Sequence, residues 1–269
     1  MQGNTAIANI LKMEGTEYLF CYPANPLIEA AAIAGIQPIM SRTERTTVNM
    51  ADGYTRVTNG KRTGVVVTQA GPGIENAFAG IAHAYAESTP ILVIPGGTAR
   101  NRLGQSPDFD AISAYQGVTK WATQANQADR IPEMMRRAYT FLRSGRASPV
   151  MVQVPSDVAQ EEISEEAFDY RKVKGYKCAG DPSDIVAAVK ALLASQDPVI
   201  YAGQGILWAE ASEELEQFAE LVNAPVFTTN TGKSAFPENH PLSLGTGAGT
   251  CLLYTSDAAD DTPCVDLGG

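Results

Sequence analysis

Apolar positions in the first 155 residues follow two alternating spacings. Continuous apolar runs bounded by Gly or Pro, at 17–22, 37–40, 64–68, 90–95 and 149–154, predict short buried strands. Between them apolar residues recur at helical spacing. Ala6, Ile7, Ile10 and Leu11 line a first helix, Ile74, Phe78, Ile81 and Tyr85 another, and Ile131, Met134, Met135, Ala138 and Leu142 a third. Strands apolar on both faces must be covered on both faces. Their alternation with helices therefore predicts an α/β fold, a parallel sheet flanked by helices on each side.

Residues 159–181 break that rhythm. An acidic cluster (Glu161, Glu162, Glu165, Glu166) gives way to a basic, glycine-containing run over 171–177, which reads as an exposed linker. A second α/β unit starts at Pro182. Ser183 is the expected helix N-cap, and Ile185, Val186, Val189 and Leu192 form the apolar stripe. A strand at 198–202, the turn Gly203-Gln204-Gly205, a helix over 211–222 and a strand at 225–229 follow. This pattern is half of a doubly wound domain. The segment 251–269 carries no sustained periodicity and interrupts a run holding Gly245, Gly247 and Gly249. It resembles translated sequencing-adapter sequence joined to a truncated reading frame; the other reading is a natural irregular tail. The expected organisation is thus a first domain over 1–158, a linker over 159–181, a partial central domain over 182–250 and a non-native tail over 251–269.

Composition narrows the partners. With 44% hydrophobic and 19% charged residues the 269-residue chain is expected to fold. A net charge of −10 argues against nucleic acid. It does not argue against a phosphate-bearing cofactor, because backbone N–H groups and a metal can hold phosphate locally. Cys21, Cys178, Cys251 and Cys264 form no CxxC pair and read as reduced thiols. No basic leader precedes an apolar core, and no apolar run reaches the ~18–20 residues of a membrane span. The expectation is a cytoplasmic protein without a membrane partner.

Three strand ends carry candidate chemistry. Glu44 falls in the first turn of a helix that follows the strand ending at Met40, where ligands bind in open α/β sheets. Alone, such a residue is equally a partner of the helix dipole. Gly71-Pro72-Gly73 connects a buried strand to the helix carrying Asn76; a glycine turn lets backbone approach a ligand, and is also an ordinary tight connection. Tyr22-Pro23-Ala24 follows the first strand. His83 is expected to be a partly buried structural histidine and His240 a surface-loop residue.

In order and spacing these motifs resemble the pyrimidine-binding domain of the thiamine-diphosphate enzymes related to acetolactate synthase. That family has a Tyr-Pro-Gly-like turn after a strand, a Glu shortly before Ala-x-Gly-Tyr-x-Arg, a Gly-Pro-Gly-x-x-Asn turn and a later Val-Pro-x-Asp-Val. Here the matching residues are Tyr22-Pro23-Ala24, Glu44 with Ala51, Gly53, Tyr54 and Arg56, Gly71-Pro72-Gly73 with Asn76, and Val154-Pro155-Ser156-Asp157-Val158. The likeness continues through 198–205 and Ala235-Phe236-Pro237, into the family's central domain.

The resemblance implies thiamine diphosphate as cofactor and Glu44 as the residue that hydrogen-bonds its aminopyrimidine. There it favours the imino form that activates the thiazolium carbon for attack on a 2-oxo acid. Pro23, Ala24, Gly71, Pro72, Gly73 and Asn76 would line the cofactor. It also implies Mg2+ and the diphosphate in a C-terminal domain absent from these residues, a second copy of the chain as partner, and a fragment inactive alone. FAD in the central domain stays open against a purely structural role. Acetolactate synthases carry Phe-Gln-Glu where Ser106-Pro107-Asp108 stands, so the 2-oxo acid pair stays open. The competing reading is a non-catalytic α/β nucleotide- or flavin-binding module.

Overall fold

The computed structural model describes residues 1–105, 109–164 and 166–247. Ser106-Pro107-Asp108, Glu165, Gly249 and the tail 251–269 lie outside the described residues. Two compact units form, one over Met1–Tyr176 and one from Lys177 onward.

The first unit is built from α1 (Gly3–Met13), β1 (Tyr18–Cys21), α2 (Leu27–Ile33), β2 (Gln37–Met40), α3 (Glu44–Val57), β3 (Gly64–Thr68), α4 (Pro72–Ala86), β4 (Ile91–Gly97), α5 (Ala111–Tyr115), β5 (Trp121–Gln124), α6 (Ile131–Leu142), β6 (Val150–Pro155) and α7 (Ser156–Gln160). Its six strands run in the order β2-β1-β3-β4-β6-β5. Every neighbouring pair is parallel.

Alternation along each strand divides the core. Leu19, Cys21, Val65, Val67, Leu92, Ile94, Val150 and Val152 face α1, α2 and α6. Phe20, Val66, Ile91, Val93 and Met151 face the helices α3, α4 and α5. A sheet covered on both faces, as the apolar runs predict, follows from this two-residue period.

Several details differ from the sequence expectation. β5 was not predicted: its four residues are all half-buried at the sheet edge, and Thr123 and Gln124 dilute the apolar signal. On α4 the buried stripe is Ile74, Ala77, Ile81 and Ala84, whereas Phe78 and Tyr85 are each 39% exposed. Small residues let α4 lie close to its neighbours, so the larger aromatics fall to the flank. His83 is exposed on that helix, not partly buried.

The stretch expected to be an exposed linker is exposed without interruption only beyond Val173. Before that, Ile163 and Tyr170 are buried in the first unit's core, and Gln2 pairs antiparallel with Glu162. The anchor is Glu14, whose side chain is wholly buried. It accepts hydrogen bonds from Tyr170 Oη (2.6 Å) and Val173 N–H (3.1 Å), and lies 2.6 Å from Arg143 Nη2.

The second unit holds α8 (Pro182–Ala194), β7 (Ile200–Ala202), α9 (Gly205–Ala209), α10 (Ser212–Val222), β8 (Val226–Thr228) and β9 (Ser243–Thr246). Its parallel sheet runs β7-β8-β9. The N-cap of α8 is Asp181, which accepts the Ser183 N–H at 2.8 Å; Pro182, with φ preset and no N–H to satisfy, takes the first helical position in place of the expected Ser183 cap. None of α8's residues is buried. No described helix is long and apolar enough to cross a membrane.

Candidate functional site

In a parallel sheet all strands end on one edge. Chain order places the connections after β1, β2 and β3 around the point where the path, having run out to edge strand β2, returns to β3 on the other side of β1. Ligands bind at such switch points. The ends of β1, β3 and β4 converge closely there. A Cβ added to Gly96 would lie 3.3 Å from Ala70 N and 3.6 Å from Asn25 Nδ2. A cavity of about 250 Å³ opens at this edge, lined by Ala24, Asn25, Gln69, Ala70, Gly96 and Gly97 together with Asn4 and Ile7 of α1.

Glu44 is the first residue of α3, after the N-cap Thr43, whose hydroxyl accepts the Thr46 N–H at 3.2 Å. Only 6% of Glu44 is exposed. The first turn of α4 passes directly beside it: a Cβ on Gly73 would stand 3.5 Å from Glu44 Oε1 and 2.9 Å from Gln69 Cβ. No described residue donates a hydrogen bond to the Glu44 carboxylate or forms an ion pair with it. Burying an ionised carboxylate without a donor is costly, so its open acceptor positions suit a ligand N–H.

The other sequence candidates fall into two groups. Gly71 has φ 62° and ψ −115°, a conformation open to glycine and strained for side-chain-bearing residues, and Pro72 starts α4. Gly71, Pro72 and Gly73 thus form the turn beside Glu44. Pro23 and Ala24 border a more open depression with Pro38 and Met40, and Ala24 also reaches the strand-end cavity. Asn76 is exposed on α4. Sequence reasoning missed Asn25, which directly follows Ala24, and Gln69, which lies two residues before Gly71. Asn25 Nδ2 donates to Thr68 O and its Oδ1 accepts the Leu27 N–H, both at 2.9 Å.

The remaining motif residues are scaffold. Asp52 and Arg56 pair within α3 at 2.8 Å. Tyr54 packs against Tyr18 and Phe20 of β1. Thr55 accepts the Gly64 N–H at 2.8 Å, tying α3 to the start of β3. Together they fix α3 and so aim its first residue. Asp157 accepts from the Arg100 N–H (3.1 Å) and Nε (2.6 Å), anchoring the connection after β4 to the start of α7. Burial pulls the Asp157 carboxyl upward, but the Arg100 hydrogen bonds and charge outweigh it and hold the group below the usual range.

Ala24 has φ 79°, where an L side chain is strained and the motif's usual glycine is not. Ala24→Gly should stabilise the chain by about 0.5–1 kcal/mol, the relief exceeding the entropy of a freer unfolded chain. Urea denaturation of both forms checks this, and a destabilised Gly variant would mean that the turn is not strained.

Among the described residues, Glu216, Glu220 and His240 bring their ligand atoms within 4.8 Å of one another. His240 Nδ1 accepts the Leu242 N–H at 3.2 Å, which leaves the ring proton on Nε2, facing Glu220 Oε1 at 3.3 Å. A metal-bound imidazole instead donates its second N–H outward. The cluster therefore reads as a hydrogen-bonded surface contact.

Comparison with known proteins gives the family. The profile described as thiamine pyrophosphate enzyme, N-terminal TPP binding domain, matches residues 1–126. That for the thiamine pyrophosphate enzyme central domain matches residues 185–265. The chain is 36% identical to a probable acetolactate synthase large subunit of Methanocaldococcus jannaschii, over 91% of this chain and 43% of that protein. It is 32% identical to the acetolactate synthase large subunit of Haemophilus influenzae, over 91% and 44%. It is 35% identical to the glyoxylate carboligase of Escherichia coli O157:H7, over 91% and 42%. The chain thus spans less than half the length of these relatives. With both domain profiles matched in sequence order and a buried, unpartnered glutamate at the switch point of the first sheet, the chain belongs to the thiamine pyrophosphate enzymes.

Proposed function

We propose that this chain is the pyrimidine-side part of a thiamine-diphosphate-dependent carboligase or decarboxylase acting on 2-oxo acids. The observation that carries the reading is the buried Glu44, whose carboxylate lacks a donor among the described residues and lies beside a glycine, where a Cβ would touch it at 3.5 Å. Residues of this kind fit an aminopyrimidine. Glu44 accepts a hydrogen bond from a ring nitrogen, in surroundings of low dielectric that strengthen it. The glycine turn at 71–73 lets backbone close over the ring, and Pro23 and Ala24 border the neighbouring edge. Bound thiamine diphosphate supplies the carbon–carbon bond chemistry, while the protein orients it and tunes its electrostatics.

In this reading Mg2+ and the diphosphate are held by a domain outside these residues. An FAD, where one is bound, would approach Gly203-Gln204-Gly205. Neither glycine there has positive φ, and a Cβ on either would meet nothing within 4 Å, so packing does not explain them. A second copy of the chain is the partner. The exposed Phe78 and Tyr85 on α4 offer it apolar surface. The free thiols Cys21 and Cys178 suit a reduced, cytoplasmic setting.

The test uses the full-length gene product with Mg2+ and thiamine diphosphate. Pyruvate, 2-oxobutyrate and glyoxylate are supplied singly and in pairs, and CO2 and coupled hydroxy-oxo products are measured. Cofactor-dependent CO2 release is expected from at least one. A protein that binds a nucleotide or flavin but consumes no 2-oxo acid would establish the non-catalytic module instead.

A further inference from the structure

We propose that Gln69 holds the carboxylate of the 2-oxo acid beside Glu44, an inference that rests on the thiamine-dependent reading above. Gln69 lies on the connection between β3 and α4. Its Cβ and Cγ approach the position of a Cβ on Gly73 to 2.9 and 3.5 Å, and Glu44 Oε1 approaches the same point to 3.5 Å. The two side chains therefore flank a single backbone position. Gln69 also lines the strand-end cavity, whose lining does not include Glu44. It is the residue that joins the cavity to the carboxylate.

Of the cavity's other two amides, Asn4 of α1 is not among the groups nearest the Gly73 position, and Asn25 is already committed. Asn25 donates to Thr68 O and accepts from Leu27 N–H. The Gln69 carboxamide, half-buried, has no hydrogen-bond partner among the described residues. An idle N–H2 donor at the rim of a largely apolar cavity suits an oxygen-rich anion of small size.

Among the described residues the cavity lining contains no Lys, Arg or His. That neutrality fits a substrate carboxylate that must leave. In decarboxylation the bond to the carboxylate carbon breaks, its electron pair stays with the organic fragment, and neutral CO2 departs. A cation fixed at the carboxylate would stabilise the ionised ground state more than the transition state. A neutral amide orients the group and opposes its departure less. Gln69 is thus a positioning residue whose loss should fall on KM rather than on kcat.

Gln69→Met, similar in length but without the donor, and Gln69→Glu, which places a like charge there, are compared in the full-length holoenzyme with pyruvate as the probe. Gln69→Met should raise KM about tenfold, and Gln69→Glu by more, with kcat within about twofold. Thiamine diphosphate affinity, followed by near-ultraviolet circular dichroism, should stay within about twofold. KM unchanged in both variants would overturn the proposal. So would a loss of cofactor affinity matching the loss in KM, because Gln69 would then serve the cofactor. Glu44→Gln in the same assay separates the two levels: if it keeps full turnover, the Glu44 reading fails whatever Gln69 does.

Discussion

Glu44→Gln in the full-length enzyme is expected to lower turnover at least about tenfold, equivalent to ~1.4 kcal/mol of barrier. The amide keeps the shape and can still accept a hydrogen bond through its oxygen. It removes the negative charge that makes the bond to a ring N–H strong in a poorly solvated site. The same substitution should leave the stability of the ligand-free chain unchanged or raise it by up to ~1 kcal/mol. The wild-type residue is 6% exposed and its carboxylate has no donor among the described residues, so whatever desolvation it suffers is not offset by a protein hydrogen bond. Replacing it with a neutral amide relieves that cost and forfeits only a favourable contact with the dipole of α3, typically ~0.3–1 kcal/mol. Functional groups held at a cost to stability behave in this way. Steady-state turnover and urea denaturation of the two forms separate the possibilities. Full turnover in the variant would remove Glu44 from the mechanism. A clear loss of stability would make it a structural helix-start residue, the reading that its first-turn position alone also allows.

How much of this was legible beforehand depended on where each signal resides. Strands β1, β3, β4 and β6 announce themselves as apolar runs, because burial on both faces demands apolar side chains at nearly every position; β2, expected to be buried as well, is an edge strand whose residues are half-buried or exposed. β5 and β9 do not announce themselves. Trp121-Ala122-Thr123-Gln124 and Ser243-Leu244-Gly245-Thr246 are only partly buried, and strands of four such residues leave no periodicity to read. The motif residues were legible as chemistry, but their division of labour was not. That Tyr54, Thr55 and Arg56 brace α3 while Glu44 faces Gly73 depends on contacts between elements distant in sequence. Gln69 escaped notice for a similar reason. It sits two residues before a turn whose glycines carry the signal, and only the fold shows it bordering both Gly73, beside Glu44, and the cavity. The acidic and basic runs over 159–181 have the composition of a solvated linker, yet Ile163 and Tyr170 among them are buried and, with the bonds to Glu14, fasten the segment to the first unit.

That fastening yields the second large effect. Glu14→Ala is expected to cost about 3–5 kcal/mol, the range for removing one partner of a buried, hydrogen-bonded ion pair. The substitution leaves the Arg143 guanidinium, only 24% exposed, without its carboxylate. It also strands the Tyr170 hydroxyl and the Val173 N–H. Glu14→Gln retains an acceptor and should cost less, which distinguishes lost charge from lost hydrogen bonding. The loss should be local first. Hydrogen exchange at 163–173 should accelerate before that of the central strands, because this segment lies outside the sheet and is held there by the Glu14 bonds. Equal denaturation midpoints for wild type and Glu14→Ala, with unchanged exchange in that segment, would mean that apolar burial of Ile163 and Tyr170 alone holds it. Alkaline pH probes the same cluster. Burial, and then the bond to Glu14, push the Tyr170 hydroxyl's pKa upward; burial does the same for Tyr115 and Tyr139. Above about pH 10 the unfolded chain sheds these protons while the folded chain keeps them, so stability should fall as pH rises further. Tyr170→Phe should lose part of that alkaline sensitivity. At neutral pH it should cost less than Glu14→Ala, because Arg143 and Val173 still share the carboxylate.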